Sequence, residues 1–417
     1  MTNAVNKLQD CDVAIVGGGP AGLSAAVTLR RNGVDRVVVL ERESNAGGIP
    51  RHCLHSPFGM REFSRLLNGP AYARRMVREA LATGVDVRTN VNVVGLHAGG
   101  RIDVATPDGC YSLVADRVVL ATGGREMPRS ARLISGTRPL GVTNTGALQS
   151  MVHLKNQLPF AKPVIVGTEL VSFSSLLTCR KAGIQPIAML EENSRITAKQ
   201  PSQLLARGLG IPIHYQTRLL AIEGGRRVER VIVADHNGVE QSLQCDGVLL
   251  TGRFTPESSL ARMAHLEIDP ASGGPVIDQH GRCSDPAFYA AGNVLRAVET
   301  AGWCYREGGK IGKRIADDLA GVLPDRENEF TVAASGSVKY VVPQRIAVTD
   351  RAKSGDCFQL RFDHQAKGRL VAKSGGKTVW SKSMTVLPER RVLVPVPPLG
   401  LEGRSSRLEF LFEENKN

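Results

Sequence analysis

The pattern of apolar and polar positions defines two similar units along the chain. In the first unit, the apolar run 12–16 is followed by a glycine-rich turn, a helical pattern that ends near Gly33, and a second apolar run at 36–40. The same order returns between Pro163 and Leu190. Each segment therefore predicts a strand, a tight turn, a helix and a strand, which is the plan of a nucleotide-binding domain.

The turn of the first unit has the spacing GxGxxG from Gly17 to Gly22. Gly17 permits the tight turn, Gly19 lets backbone amides approach a pyrophosphate, and Gly22 lets the helix pack closely on the strand. The N-terminal amides of the helix point at the phosphates, and Glu41 after the second strand can accept the ribose hydroxyls. Strand, turn, helix and acid together predict a dinucleotide site.

A distant glycine element indicates that this dinucleotide is FAD. A nicotinamide site would not need a second glycine segment that closes the same domain, and Ala291-Gly292-Asn293 supplies one. Asn293 can hydrogen-bond the ribityl chain or a phosphate. The helix after Gly302 would begin beside the flavin pyrimidine ring, where its dipole stabilises the negative charge of the reduced flavin. The residues expected to contact FAD are Gly17, Gly19, Pro20, Ala21, Gly22, Glu41, Arg42, Gly48, Ile49, Ala121, Thr122, Gly123, Gly292, Asn293, Gly302 and Trp303.

Glycine segments also predict how the chain is divided into domains. Segments 121–124 and 251–252 each follow an apolar run and are interpreted as the two crossings between domains. The expected domains are an FAD-binding domain in two parts, a second dinucleotide domain and a C-terminal domain, with limits 1–125 and 254–325, 126–253, and 330–417 respectively. Short strand-like runs in the last segment predict a β-sandwich. The expected fold class is α/β, with two Rossmann-like dinucleotide-binding domains, the FAD domain discontinuous, plus a small C-terminal all-β domain.

The turn of the second unit has lost two of its three glycines. Glu169 stands where a glycine must leave room for the pyrophosphate, and Ser172 stands where a glycine packs the helix on the strand. A carboxylate at this position would repel the phosphates. We therefore expect this domain not to bind NAD(P) in the usual mode. The alternative is a shifted turn that still binds the cofactor, with Glu191 or Glu192 on its ribose.

The segment 47–61 follows the first acid and is expected to pass close to the flavin. A disulfide reductase would have two cysteines at CxxC or CxxxxC spacing here or in the second unit, and only Cys53 is present. His52 and His55 are candidates for a general base, because imidazole titrates near neutral pH, with structural packing as the alternative. Arg51 and Arg61 are candidates to hold a carboxylate or phosphate, with a surface or ion-pair role as the alternative for each. The candidate catalytic residues are His52, Cys53, His55 and Arg61.

Trp303 and Cys304 open the last predicted helix of the FAD domain. The indole of Trp303 is a candidate to pack on the flavin, and the thiol of Cys304 is expected to have a lowered pKa at the helix start. Core packing is the alternative for both residues.

Composition narrows the class of protein further. The chain has 417 residues, enough for two or three domains, and a net charge of +13 whose Lys and Arg are spread without an aromatic-interleaved block. We expect an anionic small-molecule substrate and no nucleic acid. The eight cysteines are scattered, so no iron–sulfur, zinc or other metal site is expected. The opening residues lack a secretory signal and no apolar run spans a bilayer, which predicts a cytoplasmic chain without a transmembrane segment.

Over residues 10 to 325 the sequence resembles the two-dinucleotide-domain flavoprotein oxidoreductases related to thioredoxin reductase and glutathione reductase. The segments 141–149 (GVTNTGALQ) and 291–303 are similar to those of the FAD subunits of hydrogen cyanide synthase, opine oxidase and the multisubunit proline or hydroxyproline dehydrogenases. That resemblance implies oxidation of a C–N bond, often with an iron–sulfur element and a second FAD-containing subunit. After Phe330 this chain lacks the closely spaced cysteines of their cluster-binding region.

Three functions remain open from the sequence. The first is an FAD-dependent dehydrogenase that takes a hydride from a small anionic amine, amino acid or hydroxy acid and passes electrons to a partner protein or quinone. The second is a noncatalytic FAD electron-transfer subunit that a partner dehydrogenase reduces. The third is an NAD(P)H-dependent flavin reductase, which the altered turn at Gly167 disfavours.

Overall fold

The first part of the chain builds a mostly parallel sheet. The computed structural model describes residues 9–198, 201–324, 326, 329–347, 356–396 and 407–415. Strands β3, β2, β1 and β6 lie side by side in parallel, and β5 and β4 extend the sheet in antiparallel order. All of β2 is buried, as expected for a strand covered on both faces. The elements are β1 (Gln9–Val16), α1 (Pro20–Arg31), β2 (Val37–Leu40), α2 (Gly69–Ala82), β3 (Asp86–Arg88), β4 (Asn92–His97), β5 (Arg101–Thr106) and β6 (Gly109–Leu120).

The second part contains another parallel sheet, in the order β12-β11-β10-β16-β9, and a smaller sheet in the order β15-β14-β13-β8. Strands β7 and β17 pair antiparallel where the chain leaves the first sheet and returns to it. The elements are β7 (Gly124–Glu126), β8 (Ser135–Gly136), β9 (Val142–Asn144), α3 (Thr145–Lys155), β10 (Pro163–Val166), α4 (Leu170–Ala182), β11 (Ala188–Leu190), α5 (Gln203–Gly208), β12 (Ile213–His214), β13 (Arg218–Glu223), β14 (Arg230–Ala234), β15 (Glu240–Gln244), β16 (Gly247–Leu250) and β17 (Phe254–Pro256).

The chain then completes the first sheet. Three elements follow: α6 (Ser259–Met263), β18 (Phe288–Ala290) and α7 (Ala301–Leu319). Strand β18 pairs in parallel with β6, so the first domain is discontinuous in sequence. Short 3-10 helices lie at Ile49–His52, Ala98–Gly100, Ser130–Arg132 and Gly292–Val294. Among the described residues, no helix is both long and apolar enough to cross a membrane.

The C-terminal strands form a two-sheet sandwich. One sheet has the order β21-β19-β26-β23-β24 and the other the order β20-β22-β25. Phe358 and Phe410 meet edge to face in its core, with ring centroids 5.0 Å apart. The predicted fold class is therefore confirmed. The strands are β19 (Glu329–Ala334), β20 (Val338–Val342), β21 (Arg345–Ala347), β22 (Cys357–Phe362), β23 (Ala366–Ser374), β24 (Lys377–Val386), β25 (Val392–Pro395) and β26 (Arg407–Glu414).

Strand β20 joins this sandwich to the first domain. Val338 and Val341 pack in the core of the sandwich. Tyr340 and Val342, on the opposite face of the strand, pack in the apolar core beneath the first sheet. The C-terminal domain is therefore anchored in the core of its neighbour.

Candidate functional site

The turn between β1 and α1 leaves open space at one glycine only. Gly17 has a φ of +112°, and a Cβ there would lie 2.5 Å from the carbonyl oxygen of Ala121. A Cβ on Gly22 would overlap the carbonyl oxygen of Gly17. At Gly19, the nearest atom to an added Cβ is the Cα of Gly48, at 4.0 Å. The first and third glycines are required by the fold, and the second leaves room for a ligand.

Glu41 follows β2 and faces the same turn. Its carboxylate accepts hydrogen bonds from the backbone N–H groups of Gly18, at 3.0 Å, and Glu43, at 2.9 Å. Burial raises the pKa of this carboxyl, which is 8% exposed. Glu41 is thus fixed beside the turn, where an acid can accept ribose hydroxyls. Arg42, the next expected contact, has an exposed side chain.

The segment after Glu41 folds back onto the turn. The N–H of Gly47 donates to the carbonyl of Gly18 at 2.7 Å. Gly48 has a φ of +62°, and a Cβ there would lie 2.9 Å from the Cα of Gly19. Ile49 comes next and is exposed. These residues therefore form one wall of the space above Gly19.

The first crossing segment, 121–124, brings further expected contacts to the carboxyl edge of the first sheet. Ala121 donates its N–H to the carbonyl of Val16 at 2.9 Å. The hydroxyl of Thr122 donates to the carbonyl of Glu257 at 2.6 Å. The backbone of Thr122 lies beside the turn. Gly123 has a φ of +79° and nothing within 4 Å of an added Cβ.

Gly292 approaches the start of α1 closely. It has a φ of +82°, and a Cβ there would lie 2.9 Å from the Cβ of Ala21. Its N–H donates to the carboxylate of Glu307 at 2.8 Å. The side chain of Asn293 is held by the backbone of Glu299, because its Oδ1 accepts at 2.8 Å and its Nδ2 donates at 3.1 Å. The amide expected to bond the ribityl chain therefore also shapes the loop before α7.

Helix α7 projects past the start of α1. Gly308 packs against the backbone of Ala21, and Gly312 against that of Ala25, so the two helices run parallel in close contact. In this register, residues 301–306 extend about 9 Å beyond Pro20, the first residue of α1. The first turn of α7, with Gly302 and Trp303, therefore lies over the far end of any dinucleotide bound at the turn.

A carboxylate that the sequence did not single out lies on this first turn of α7. A Cβ on Gly302 would overlap the carboxylate of Glu62. Glu62 also accepts a hydrogen bond from the hydroxyl of Tyr72 at 3.0 Å. The N-terminal end of a helix attracts negative charge, which accounts for the position of this carboxylate. No spacing or motif marks Glu62 in the sequence, since only the tertiary fold brings it to α7.

Burial changes the chemistry expected of His52 and Cys53. His52 is 6% exposed, its Nδ1 has no hydrogen-bond partner among the described residues, and burial lowers its pKa to about 4. The thiol of Cys53 lies 3.3 Å from the side-chain oxygen of Gln149 in α3, and burial raises its pKa to about 12. The expectation that His52 titrates near neutrality was therefore wrong, and Cys53 is a buried neutral thiol.

Of the remaining candidates, His55 and Arg51 are partly exposed, whereas Cys304 is buried. His55 has its ring 5.4 Å from that of Phe58, and burial lowers its pKa. Arg51, proposed as an anion ligand, is paired with Glu43. At the start of α7, burial raises the pKa of Cys304 to about 12, so the expected fall in its pKa does not occur.

Replacing His52 with Gln is expected to make the protein less sensitive to acid. Because the folded pKa of about 4 lies below the ordinary value of 6.5, the stability that neutral His52 contributes is fully present above pH 6.5 and is lost as the pH falls towards 4. At pH 5 the loss is about 2 kcal/mol. The measurement is the fall in Tm from pH 7.5 to 5, with His236→Gln, on an exposed turn, as the control. An equal fall in the His52 variant and the wild type would contradict this assignment.

Three arginines surround Trp303. The guanidinium carbons of Arg391, Arg61 and Arg306 lie 4.1, 5.3 and 5.8 Å from the centre of its ring. Arg61 was expected near the site, whereas Arg391 comes from the C-terminal domain, in which the sequence showed no functional residues. Three cations thus surround Trp303, while the carboxylate of Glu62 lies against Gly302 on the same turn.

The turn after β10 has the backbone of the first turn but not its open space. Gly167 has a φ of +114°, close to that of Gly17. The carboxylate of Glu169 accepts a hydrogen bond from Ser172 at 3.2 Å, and it would overlap a Cβ on Gly252. Burial raises the pKa of Glu169. Its side chain thus packs across the turn towards the end of β16.

Comparison with known proteins gives a consistent result. The family model described as pyridine nucleotide-disulphide oxidoreductase matches residues 11–308. The chain belongs to this family. One subunit of the opine oxidase of Agrobacterium tumefaciens (strain Ach5) is 25% identical over 421 residues, covering 93% of this chain and 79% of that protein. The ferredoxin–NAD(+) reductase of the benzene 1,2-dioxygenase system of Pseudomonas putida is 27% identical, covering 87% of this chain and 83% of that protein.

Solved structures agree on the fold of this pyridine nucleotide-disulphide oxidoreductase. Thioredoxin reductase of T. acidophilum superposes with a TM-score of 0.61 at 22% identity, covering 75% of this chain and 99% of that one. The family resemblance inferred from the sequence is confirmed, and the protein is an FAD-dependent oxidoreductase. The open space at Gly19 and the fixed Glu41 fit this cofactor.

No two cysteines of this family member lie at the CxxC or CxxxxC spacing of a redox-active pair. Cys53 and Cys304 are both buried. Within the described residues, no group of three or more His, Cys, Asp or Glu side chains is arranged to hold a metal ion.

Proposed function

We propose that the protein is an FAD-dependent dehydrogenase that oxidises a small anionic amine, amino acid or hydroxy acid. Bound FAD supplies the hydride acceptor. Electrons then leave to a partner protein or quinone instead of NAD(P). The observation that carries this proposal is the carboxylate of Glu169, which occupies the place of a phosphate-binding glycine in the second turn.

The second turn opposes a nicotinamide partner both sterically and electrostatically. In the first turn, an added Cβ at Gly19 meets no atom closer than 4.0 Å, whereas the corresponding position in the second turn holds Glu169, whose carboxyl lies against Gly252. Arg132 lies beside it but donates to the carbonyls of Thr251, at 2.9 Å, and Gly252, at 2.8 Å. The guanidinium of Arg132, the cation beside Glu169, is therefore already hydrogen-bonded to the backbone.

The arginines around Trp303 support an anionic substrate. Arg61 and Arg306 are exposed, and the guanidinium of Arg306 donates to the backbone carbonyl of Arg61 at 2.9 Å. Positive charge next to the first turn of α7 favours a carboxylate over a neutral group. In the proposal, neutral His52 offers its unpartnered Nδ1 as a hydrogen-bonding group and is not a base that titrates near neutral pH.

Anaerobic titration of the purified holoprotein tests the proposal. Pooled amino acids, opines and 2-hydroxy acids are added in separate experiments, and the flavin absorption band is followed. Bleaching by one of these pools, with a much slower response to NADH and NADPH, is the expected result. Rapid bleaching by NADH or NADPH would overturn the proposal.

A second candidate is a noncatalytic electron-transfer subunit. It is favoured by the opine oxidase relative, whose name states that it is one of the subunits of that oxidase and which matches 93% of this chain. The ferredoxin reductase relatives likewise act with a protein partner, as their names state. A flavin that stays oxidised with every pool until a partner dehydrogenase is added would favour this candidate.

A further inference from the structure

A network of polar side chains joins the C-terminal domain to the first turn of α7. Alternation along β22 places Phe358, Leu360 and Phe362 in the core of the sandwich. Gln359 and Arg361 therefore point the opposite way, towards the FAD-binding domain. Arg391, directly before β25, joins them, because its Nη1 donates to the side-chain oxygen of Gln359 at 2.8 Å.

Two of the buried cations in this network are neutralised by carboxylates. Arg296 is 2% exposed and donates to Glu307 at 2.7 Å. Arg361 donates to Glu299 at 3.0 Å. Among the described residues of the network, three guanidiniums therefore share two carboxylates, because Arg391 pairs with the same Glu299 as Arg361.

Arg391 lies 3.6 Å from Glu299, which is already paired, and stacks 4.1 Å from the ring centre of Trp303. Its side chain is 11% exposed. Burial lowers its pKa, and the neighbouring carboxylate of Glu299 only partly offsets this effect. A guanidinium in this state gains from an additional anion.

The place of Trp303 defines where such an anion would lie. The register of α7 on α1 carries Trp303 beyond the dinucleotide turn, at the end of the site that the flavin ring would occupy. The planar fork of an arginine matches the two oxygens of a carboxylate. An arginine stacked on an indole is also restricted in rotation, so less entropy is lost on binding.

We propose that Arg391, supplied by the C-terminal domain, binds the carboxylate of the substrate and so makes a carboxylate a requirement for substrates of this enzyme. Gln359 and Trp303 hold the guanidinium in place. Since this assigns the substrate of the same site, it rests on the proposed function. The C-terminal domain is then part of the active site and not an appendage.

The test measures binding to the oxidised holoprotein, where no turnover is needed. Acetate and benzoate are titrated against acetamide and benzamide, which have similar shapes but no charge, and the shift of the flavin absorption spectrum gives each Kd. The variants are Arg391→Gln and Arg391→Lys, and the matched control is Arg390→Gln, because Arg390 is exposed on the same loop. FAD content and Tm of each variant report whether the fold is retained.

The expected result is that the carboxylates bind and their amides do not. Arg391→Gln should weaken carboxylate binding by about tenfold or more, Arg391→Lys should retain part of it, and Arg390→Gln should leave it unchanged. If Arg391→Gln lost FAD, the ratio of carboxylate affinity to amide affinity would be measured in the folded Arg391→Lys variant instead and compared with that of the wild type. Carboxylate binding that is absent, or equal in the wild type and the folded Arg391 variants, would overturn the inference. Oxidation of pooled compounds is measured separately, so either proposal can fail alone.

Discussion

Replacing Gly19 with Glu is expected to abolish FAD binding. The variant copies into the first turn the residue that stands at the same place in the second turn. An added Cβ has space at Gly19, with the Cα of Gly48 4.0 Å away, so the backbone tolerates a side chain there. The carboxylate, however, would enter the space for the pyrophosphate. At about 5 Å and an effective dielectric constant of about 20, each phosphate charge contributes about 3 kcal/mol of repulsion, or about a hundredfold in Kd.

Two controls separate charge, size and folding in this experiment. Gly19→Ala adds a small side chain without charge and should bind FAD at least tenfold more tightly than Gly19→Glu. Gly208→Ala, at a helix end where no atom lies within 4 Å of an added Cβ, should behave as the wild type. Quenching of flavin fluorescence on mixing with apoprotein gives the Kd. Wild-type affinity in Gly19→Glu would show that the pyrophosphate does not lie at this turn.

The sequence predicted the parts of the site that are local in the chain. Gly17, Gly22 and Glu41 occur at fixed distances from one another along one strand-turn-helix unit, so their spacing alone indicated their steric roles. Gly292 lies far away in sequence but follows a recognisable apolar strand. These features need no knowledge of how the domains pack.

The parts that the sequence did not reveal depend on packing between distant segments. Glu62 reaches the first turn of α7 only because of the fold of the loop between β2 and α2, and Arg391 reaches Trp303 only because β20 anchors the sandwich in the first domain. The pKa expectations for His52 and Cys304 failed for a related reason. Desolvation of a side chain depends on which residues cover it, and the local sequence does not reveal those residues.

The reciprocal exchange in the second turn should create a dinucleotide site. The double variant Glu169→Gly, Ser172→Gly restores GxGxxG on a turn whose Gly167 already has the required φ of +114°. Glu191, which follows β11 as Glu41 follows β2, accepts a hydrogen bond from the N–H of Asn193 at 2.8 Å, as Glu41 accepts one from the N–H of Glu43. We expect ADP-ribose, which carries the pyrophosphate but cannot reduce a flavin, to bind about tenfold or more tightly than to the wild type.

The variant Glu169→Gln shows which property of the residue blocks the site, because it removes the charge and keeps the volume. It should bind ADP-ribose with intermediate affinity if both charge and size matter. Glu240→Gly, which removes an acid from an exposed strand of the same domain, should have no effect. Calorimetric titration measures each Kd. If the wild type binds ADP-ribose as tightly as the double variant, Glu169 does not block the turn, and the case for an electron acceptor other than NAD(P) loses its main support.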